Sequence, residues 1–197
     1  MEALIASHWI PDGSGPLLLD GVTVGGRLRE VAAQVPDRVA LVEGLPKPSR
    51  REWTYAQLLA DAERCARWLL QHFRTGEHIA VWAHNLPEWV IVEYGAALAG
   101  LTLVTVNPSL QPEEVKYILG QSQAAGLLHV DEVRGNPLTA HVKVIRPDVP
   151  ALREVFLLDQ LDELTENAPE VVTLPAVDEN HPAQIQYTSG TTGSPKG

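Results

Sequence analysis

Between Ile79 and Val130 the chain alternates short, almost wholly apolar runs with segments of helical period, and this alternation restricts the fold more than any other feature. Ile79-Ala80-Val81-Trp82-Ala83, Leu101 to Val106 and Gly126-Leu127-Leu128-His129-Val130 have strand length and no polar face, as expected of strands covered on both sides of a parallel sheet. Asn85, Pro87 and Glu88 supply an N-cap, a first-turn proline and a first-turn acid for a helix through Trp89 and Ala97. Pro112, Glu113 and Glu114 open another, with Val115, Ile118 and Leu119 on its apolar face. Repeated strand and helix segments predict an α/β fold, a mostly parallel sheet covered by helices and joined by right-handed crossovers. In such sheets ligands sit beyond the carboxyl ends of the strands.

The flanking sequence extends this pattern. Thr23 to Val35 places Leu28, Val31, Ala32 and Val35 on one helix face, Val39 to Val42 reads as a strand, and Arg51-Glu52-Trp53 returns as its hairpin partner after the turn-rich Gly44 to Ser49. Thr54 and Gln57 have the spacing of a capping box, and Leu58, Ala62, Cys65 and Leu69 repeat along the helix that follows, until Gly76. Pro137 to Arg146 is weakly helical and Val155 to Leu158 is strand-like. Asp159 to His181 is an acidic connection, and Ala183 to Thr188 alternates like a strand.

Trp89 to Val106 is nearly long enough and apolar enough to span a bilayer. Glu93 within it, and the breaks at Gly95 and Gly100, instead predict a buried helix followed by a buried strand. The amino-terminal residues Met1 to His8 carry an acid where a secretory signal needs positive charge. Among 197 residues, 15 are Lys or Arg and 25 Asp or Glu, a net charge of -10. A chain so acidic lacks the positive field that draws proteins to nucleic acid or anionic lipid, so any phosphate must be gripped locally. The single cysteine, Cys65, cannot form an internal disulfide or a CxxC site, which points to a reducing compartment, the cytoplasm by default.

One stretch carries chemistry. Thr188 to Gly197 holds five hydroxyls, three glycines and one lysine directly after a predicted strand. Glycines let backbone N–H groups turn toward an anion, hydroxyls donate to its oxygens, and Lys196 supplies charge. The pattern differs from a Walker A loop, because Ser194 and Pro195 separate Gly193 from Lys196. Composition alone fits a phosphate-gripping loop and a flexible linker equally.

The order of residues adds more. Tyr187-Thr188-Ser189-Gly190-Thr191-Thr192-Gly193-Ser194-Pro195-Lys196-Gly197 resembles, position by position, the phosphate-loop signature of the adenylate-forming (AMP-binding) superfamily, which includes acyl-CoA synthetases. Thr54 to Leu58, Ile79 to Val90, Ala99 to Pro108 and Glu114 to Leu119 resemble the same family in the same order. The resemblance implies ATP-dependent activation of a carboxylic acid to an acyl-adenylate, followed by thioester formation with coenzyme A. A fatty acid is the expected substrate; a peptide-synthetase adenylation domain and a non-catalytic remnant are the alternatives. It also implies that Thr188, Ser189, Gly190, Thr191, Thr192, Gly193 and Lys196 contact ATP, with Thr191 near Mg²⁺. Residues 1–197 would form the amino-terminal portion of the adenylation domain, without the acyl pocket or mobile carboxyl-terminal domain and inactive alone.

Other residues have plainer expected roles. Seven histidines are scattered without metal-ligand spacing. Cys65, Trp82 and Trp89 are expected in the core, Asp159, Asp162, Glu163 and Glu166 on a solvated surface, and Glu93 on the exposed stripe of its helix.

Overall fold

A computed structural model describes residues 21–46, 48–170, 172–188 and 197. The reading of Met1 to His8 falls outside them. Along the described chain run α1 (Val24–Gln34), β1 (Val39–Val42), β2 (Glu52–Thr54), α2 (Tyr55–His72), β3 (His78–Trp82), α3 (Pro87–Ala99), β4 (Thr102–Val106), α4 (Pro112–Gln121), β5 (Gly126–His129), α5 (Leu138–Ile145), β6 (Glu154–Leu157), α6 (Leu161–Thr165) and β7 (Gln184–Gln186). Strands β1 and β2 form the expected antiparallel hairpin. The other five form one sheet in the order β6-β5-β3-β4-β7, every neighbouring pair parallel.

This order follows from the apolar strands. Ile79 to Trp82, Leu103, Val104, Leu127 and Leu128 are buried in the three central strands, which accept helices on both faces. Helix α3 packs with α1 and α2, and α4 packs with α5. The chain leaves β3 for β4 on one side and then crosses back over β3 to reach β5. Right-handed crossovers running in opposite directions put α3 and α4 on opposite faces, so the sheet has its topological switch point at β3 and β4. The stretch Trp89 to Val106 is the expected helix-then-strand, but the break falls at Gly100 alone, the left-handed cap of α3, while the helix runs unbroken through Gly95. Among the described residues no helix is long and apolar enough to cross a membrane.

Local signals act as their chemistry requires. Thr54 Oγ1 accepts from the Gln57 backbone N–H, and Gln57 Oε1 accepts from the Thr54 N–H, closing the box that starts α2. Cys65 is fully buried, as expected.

Three readings need correction. Asn85 does not cap α3; Leu86 holds the cap position without a side-chain bond, because Pro87 at the first position has no N–H that needs an acceptor and the Trp89 N–H reaches the Leu86 carbonyl at 3.1 Å. Glu93 is half-buried rather than on an exposed stripe, and desolvation pushes its carboxyl above the usual range. The acidic connection contains a short helix, α6, whose Leu161 is buried while Asp159, Asp162, Glu163 and Glu166 remain exposed.

Candidate active site

Three parallel strands end beside one another and open a cleft of about 540 Å³. The turn after β3 supplies Ala83 and Asn85 and the first turn of α3 supplies Trp89; the turn after β4 supplies Asn107, Pro108 and Leu110; and β7 leads into Tyr187 and Thr188. Glu114 and Ile118 of α4 complete the wall on the other side of the switch point. The site therefore lies where an open parallel sheet binds ligands, and it is built from strand ends that the sequence already marks.

Each wall is held by hydrogen bonds. Thr105 Oγ1 donates to Gln186 Oε1 at 2.9 Å, tying the last residue of β7 to β4. Asn107 Oδ1 accepts from the Ser109 N–H at 2.9 Å, an Asx turn that folds the chain sharply away from β4. Glu114 Oε2 accepts from the Gln111 N–H at 2.9 Å, so this carboxylate serves as half of a second capping box. Trp82 is fully buried under the cleft, whereas Trp89 is only partly buried and lines it, a departure from its expected place wholly in the core.

Of the sequence-marked phosphate loop, Thr188 is described; it is exposed on the rim of the cleft, immediately after β7. Ser189, Gly190, Thr191, Thr192, Gly193 and Lys196 lie outside the described residues. Tyr187 and Gly197 flank the loop on either side. A β-carbon built on Gly197 would fall 2.7–2.9 Å from carbons of the Tyr187 ring, so the two flanks meet. Burial pushes the Tyr187 phenol above its ordinary range, and Tyr117 adds to the shift, so it remains a neutral donor at pH 7.

The electrostatics are equally specific. Among the described lining residues Glu114 is the one charged side chain, and none is cationic. A polyphosphate seated here would draw its positive partner from outside this set, and Lys196 follows Thr188 by eight positions. Hydroxyl, amide and phenol groups of Asn85, Asn107, Gln186, Tyr187 and Thr188 offer neutral hydrogen bonds to a sugar or phosphate oxygen. Among the described residues no group of three or more His, Cys, Asp or Glu is placed to hold a metal ion. Asn85 and Glu114 are marked in the sequence only as helix-start residues and Gln186 only as part of a strand; what makes them cleft residues is their position just past strand ends or at a helix start.

A polar cleft at the switch point of a parallel sheet is where nucleotide-binding α/β proteins seat their ligands, and here Thr188, the first residue of a Gly- and Thr-rich stretch, stands on its rim. Residues 28–197 match the family model described as AMP-binding enzyme, and the chain belongs to that family, the adenylate-forming superfamily. It is 30% identical to the putative acyl-CoA synthetase YngI of Bacillus subtilis (strain 168), the match covering 89% of this chain and 36% of that protein. It is 31% identical to the human mitochondrial medium-chain acyl-CoA ligase ACSF2, covering 91% and 33%. The inhibitor-bound N-terminal domain of FACL13 from Mycobacterium tuberculosis superimposes with a TM-score of 0.76 at 30% identity, covering 88% of this chain and 43% of that one. The chain thus spans about a third of the length of the curated relatives it matches.

Proposed function

We propose that this chain forms the phosphate-holding part of an AMP-forming acid–thiol ligase, residues 1–197 being the amino-terminal portion of its adenylation domain. In the first step a carboxylate oxygen attacks the α-phosphorus of ATP, the bond to the β-phosphate breaks, and acyl-adenylate and pyrophosphate result. In the second, the thiol of coenzyme A attacks the acyl carbon, loses its proton and displaces AMP. A fatty acid is the proposed carboxylate.

Within this reading Ser189, Thr191 and Thr192 donate hydroxyls to the outer phosphates, joined by Thr188 from the strand end. Gly190 and Gly193 let the backbone N–H groups face the same oxygens, and Lys196 balances their charge. Mg²⁺ would shield the phosphate oxygens, with Thr191 beside it. The observation that carries the reading is the delivery of Thr188 by β7 to the rim of the cleft between β3 and β4. A ligand held there lies against neutral donors and lacks a cation among the described lining residues, which is the deficit Lys196 would fill. Cys65, buried as a free thiol, supports a reducing compartment, and we place the protein in the cytoplasm.

The test is carboxylate-dependent exchange of labelled pyrophosphate into ATP by the intact protein, over a series of fatty acids. Exchange that requires the acid, followed by thioester formation on addition of coenzyme A, is the expected result. Exchange supported by amino acids alone would point to a peptide-synthetase domain, and none with any acid would overturn the reading.

A further inference from the structure

The wall of the cleft that follows β4 is fixed from outside the cleft, by Trp82 at the end of β3 and by residues of the β5–α5 region. Two consecutive carbonyls of that wall are captured. Trp82 Nε1–H donates to the Asn107 carbonyl at 3.1 Å, and Asn136 Nδ2–H donates to the Pro108 carbonyl at 3.0 Å. His141 of α5 connects the two donors. Its Nε2 lies 2.8 Å from Asn136 Oδ1, and its ring is 6.3 Å, centroid to centroid, from the Trp82 indole. Because Asn136 already spends its amide N–H on Pro108, its Oδ1 faces His141, and His141 must present an N–H there.

The backbone holds Asn136 in place. Val133 and Asn136 exchange backbone hydrogen bonds of 3.0 and 2.9 Å across a two-residue turn. Arg134 and Gly135 within it have φ of 50° and 83°, two successive left-handed residues in the pattern of a type I′ turn. Gly135 accepts that conformation freely, whereas Arg134 does not, so the turn keeps an unfavourable residue geometry and presents Asn136 on a rigid corner. Glu132 Oε1 accepts the Gly135 N–H at 3.0 Å and reinforces it.

We propose that Asn136 is a positioning residue for the cleft, oriented by His141, and that with Trp82 it sets the Asn107–Pro108 wall against which the ligand is seated. The inference rests on the ligase reading above. Asn136 touches no cleft volume itself and acts through the Pro108 carbonyl, and no spacing pattern in the sequence marks it.

Asn136→Asp tests this, since the side chain keeps its size but a carboxylate cannot donate to Pro108. In the intact protein, ATP–pyrophosphate exchange is expected to show KM for ATP or for the acid raised about tenfold, with kcat within about twofold of wild type. His141→Gln, which retains an N–H for Asn136, is expected to stay within about twofold of wild type, whereas His141→Ala should follow Asn136→Asp. Amide hydrogen exchange gives a readout independent of catalysis. Ser109 and Leu110, whose N–H groups bond Asn107 Oδ1 and the Asn107 carbonyl, should exchange faster in Asn136→Asp while α2 is unchanged. Unaltered KM values together with unaltered exchange at Ser109 and Leu110 would overturn the proposal. Wild-type protein that shows no pyrophosphate exchange would instead sink the ligase reading, and the amide measurement would still decide whether Asn136 holds this wall.

Discussion

The sulfur of Cys65 on α2 lies 2.8 Å from the point that a β-carbon on Gly95 of α3 would occupy, and the Ala62 carbonyl oxygen lies 3.2 Å from the same point. The two helices approach this closely because Gly95 has no side chain, and the contact seats α3 beside the sheet. Gly95→Ala should therefore force the helices apart and destabilise the fold by about 1–3 kcal/mol, despite the better helix propensity of alanine. Urea unfolding measures this; a variant at least as stable as wild type would show that the helices part without cost.

Burial pushes the Cys65 thiol up to about 12, so the folded protein holds it protonated well above pH 9. The unfolded chain ionises it near its ordinary 9.0, and the native state therefore loses stability as pH rises from about 9 toward 12. Relative to Cys65→Ala, wild type should lose stability over that window and hold a constant difference below it. Iodoacetamide at pH 8 should leave the native thiol unmodified and label it only on unfolding.

Much of this packing is legible from residue patterns. The capping pair Thr54 and Gln57, the stripe through Cys65 and the break at Gly100 all operate over a few residues, where spacing carries the information, whereas Gly95 interrupts no helix and serves the α2–α3 contact instead. Strand order is another matter: nothing local says that the chain crosses back over β3 to place β5, because that depends on which apolar faces find each other. Asn85 has the right chemistry for a cap, yet Pro87 makes a side-chain cap unnecessary. Gln111 and Glu114 form a capping box with glutamine at the cap, outside the usual Ser/Thr pattern. In the site, Thr188 follows from motif order, whereas Asn136 and His141 reach the cleft only through tertiary hydrogen bonds.

An ion pair joins the hairpin to the start of α3. Arg51 Nη1 donates to Glu88 Oε1 at 2.7 Å and Nη2 to Glu43 Oε1 at 2.9 Å, and the Glu88 side chain is only 7% exposed against 42% for Arg51. Arg51→Met leaves the Glu88 carboxylate buried without its cation. The expected cost is about 1–3 kcal/mol, less than for a wholly buried pair because Arg51 is partly solvated. Adding Glu88→Gln should recover most of that loss in a double-mutant cycle, and a second substitution that merely adds its own cost would contradict the coupling.

Glu93 titrates in the opposite sense from a paired acid. Its folded carboxyl is raised by desolvation, so its contribution to stability is fully present below the ordinary value of 4.5 and is lost as pH rises through the folded value. Glu93→Gln should accordingly raise the melting temperature at pH 7 and lose that advantage below pH 4.5. A substitution with no effect at pH 7 would mean that solvent reaches the carboxylate freely.

In the proposed function the residues that follow β7 in sequence, Thr188 to Lys196, grip the outer phosphates of ATP, with Lys196 supplying the charge. The direct measurement is carboxylate-dependent ATP–pyrophosphate exchange by the intact protein and by Lys196→Ala, with circular dichroism and melting temperature as controls for folding. The account expects exchange to fall by roughly one to three orders of magnitude while the fold stays intact. An unchanged exchange rate in a folded Lys196→Ala protein would contradict it.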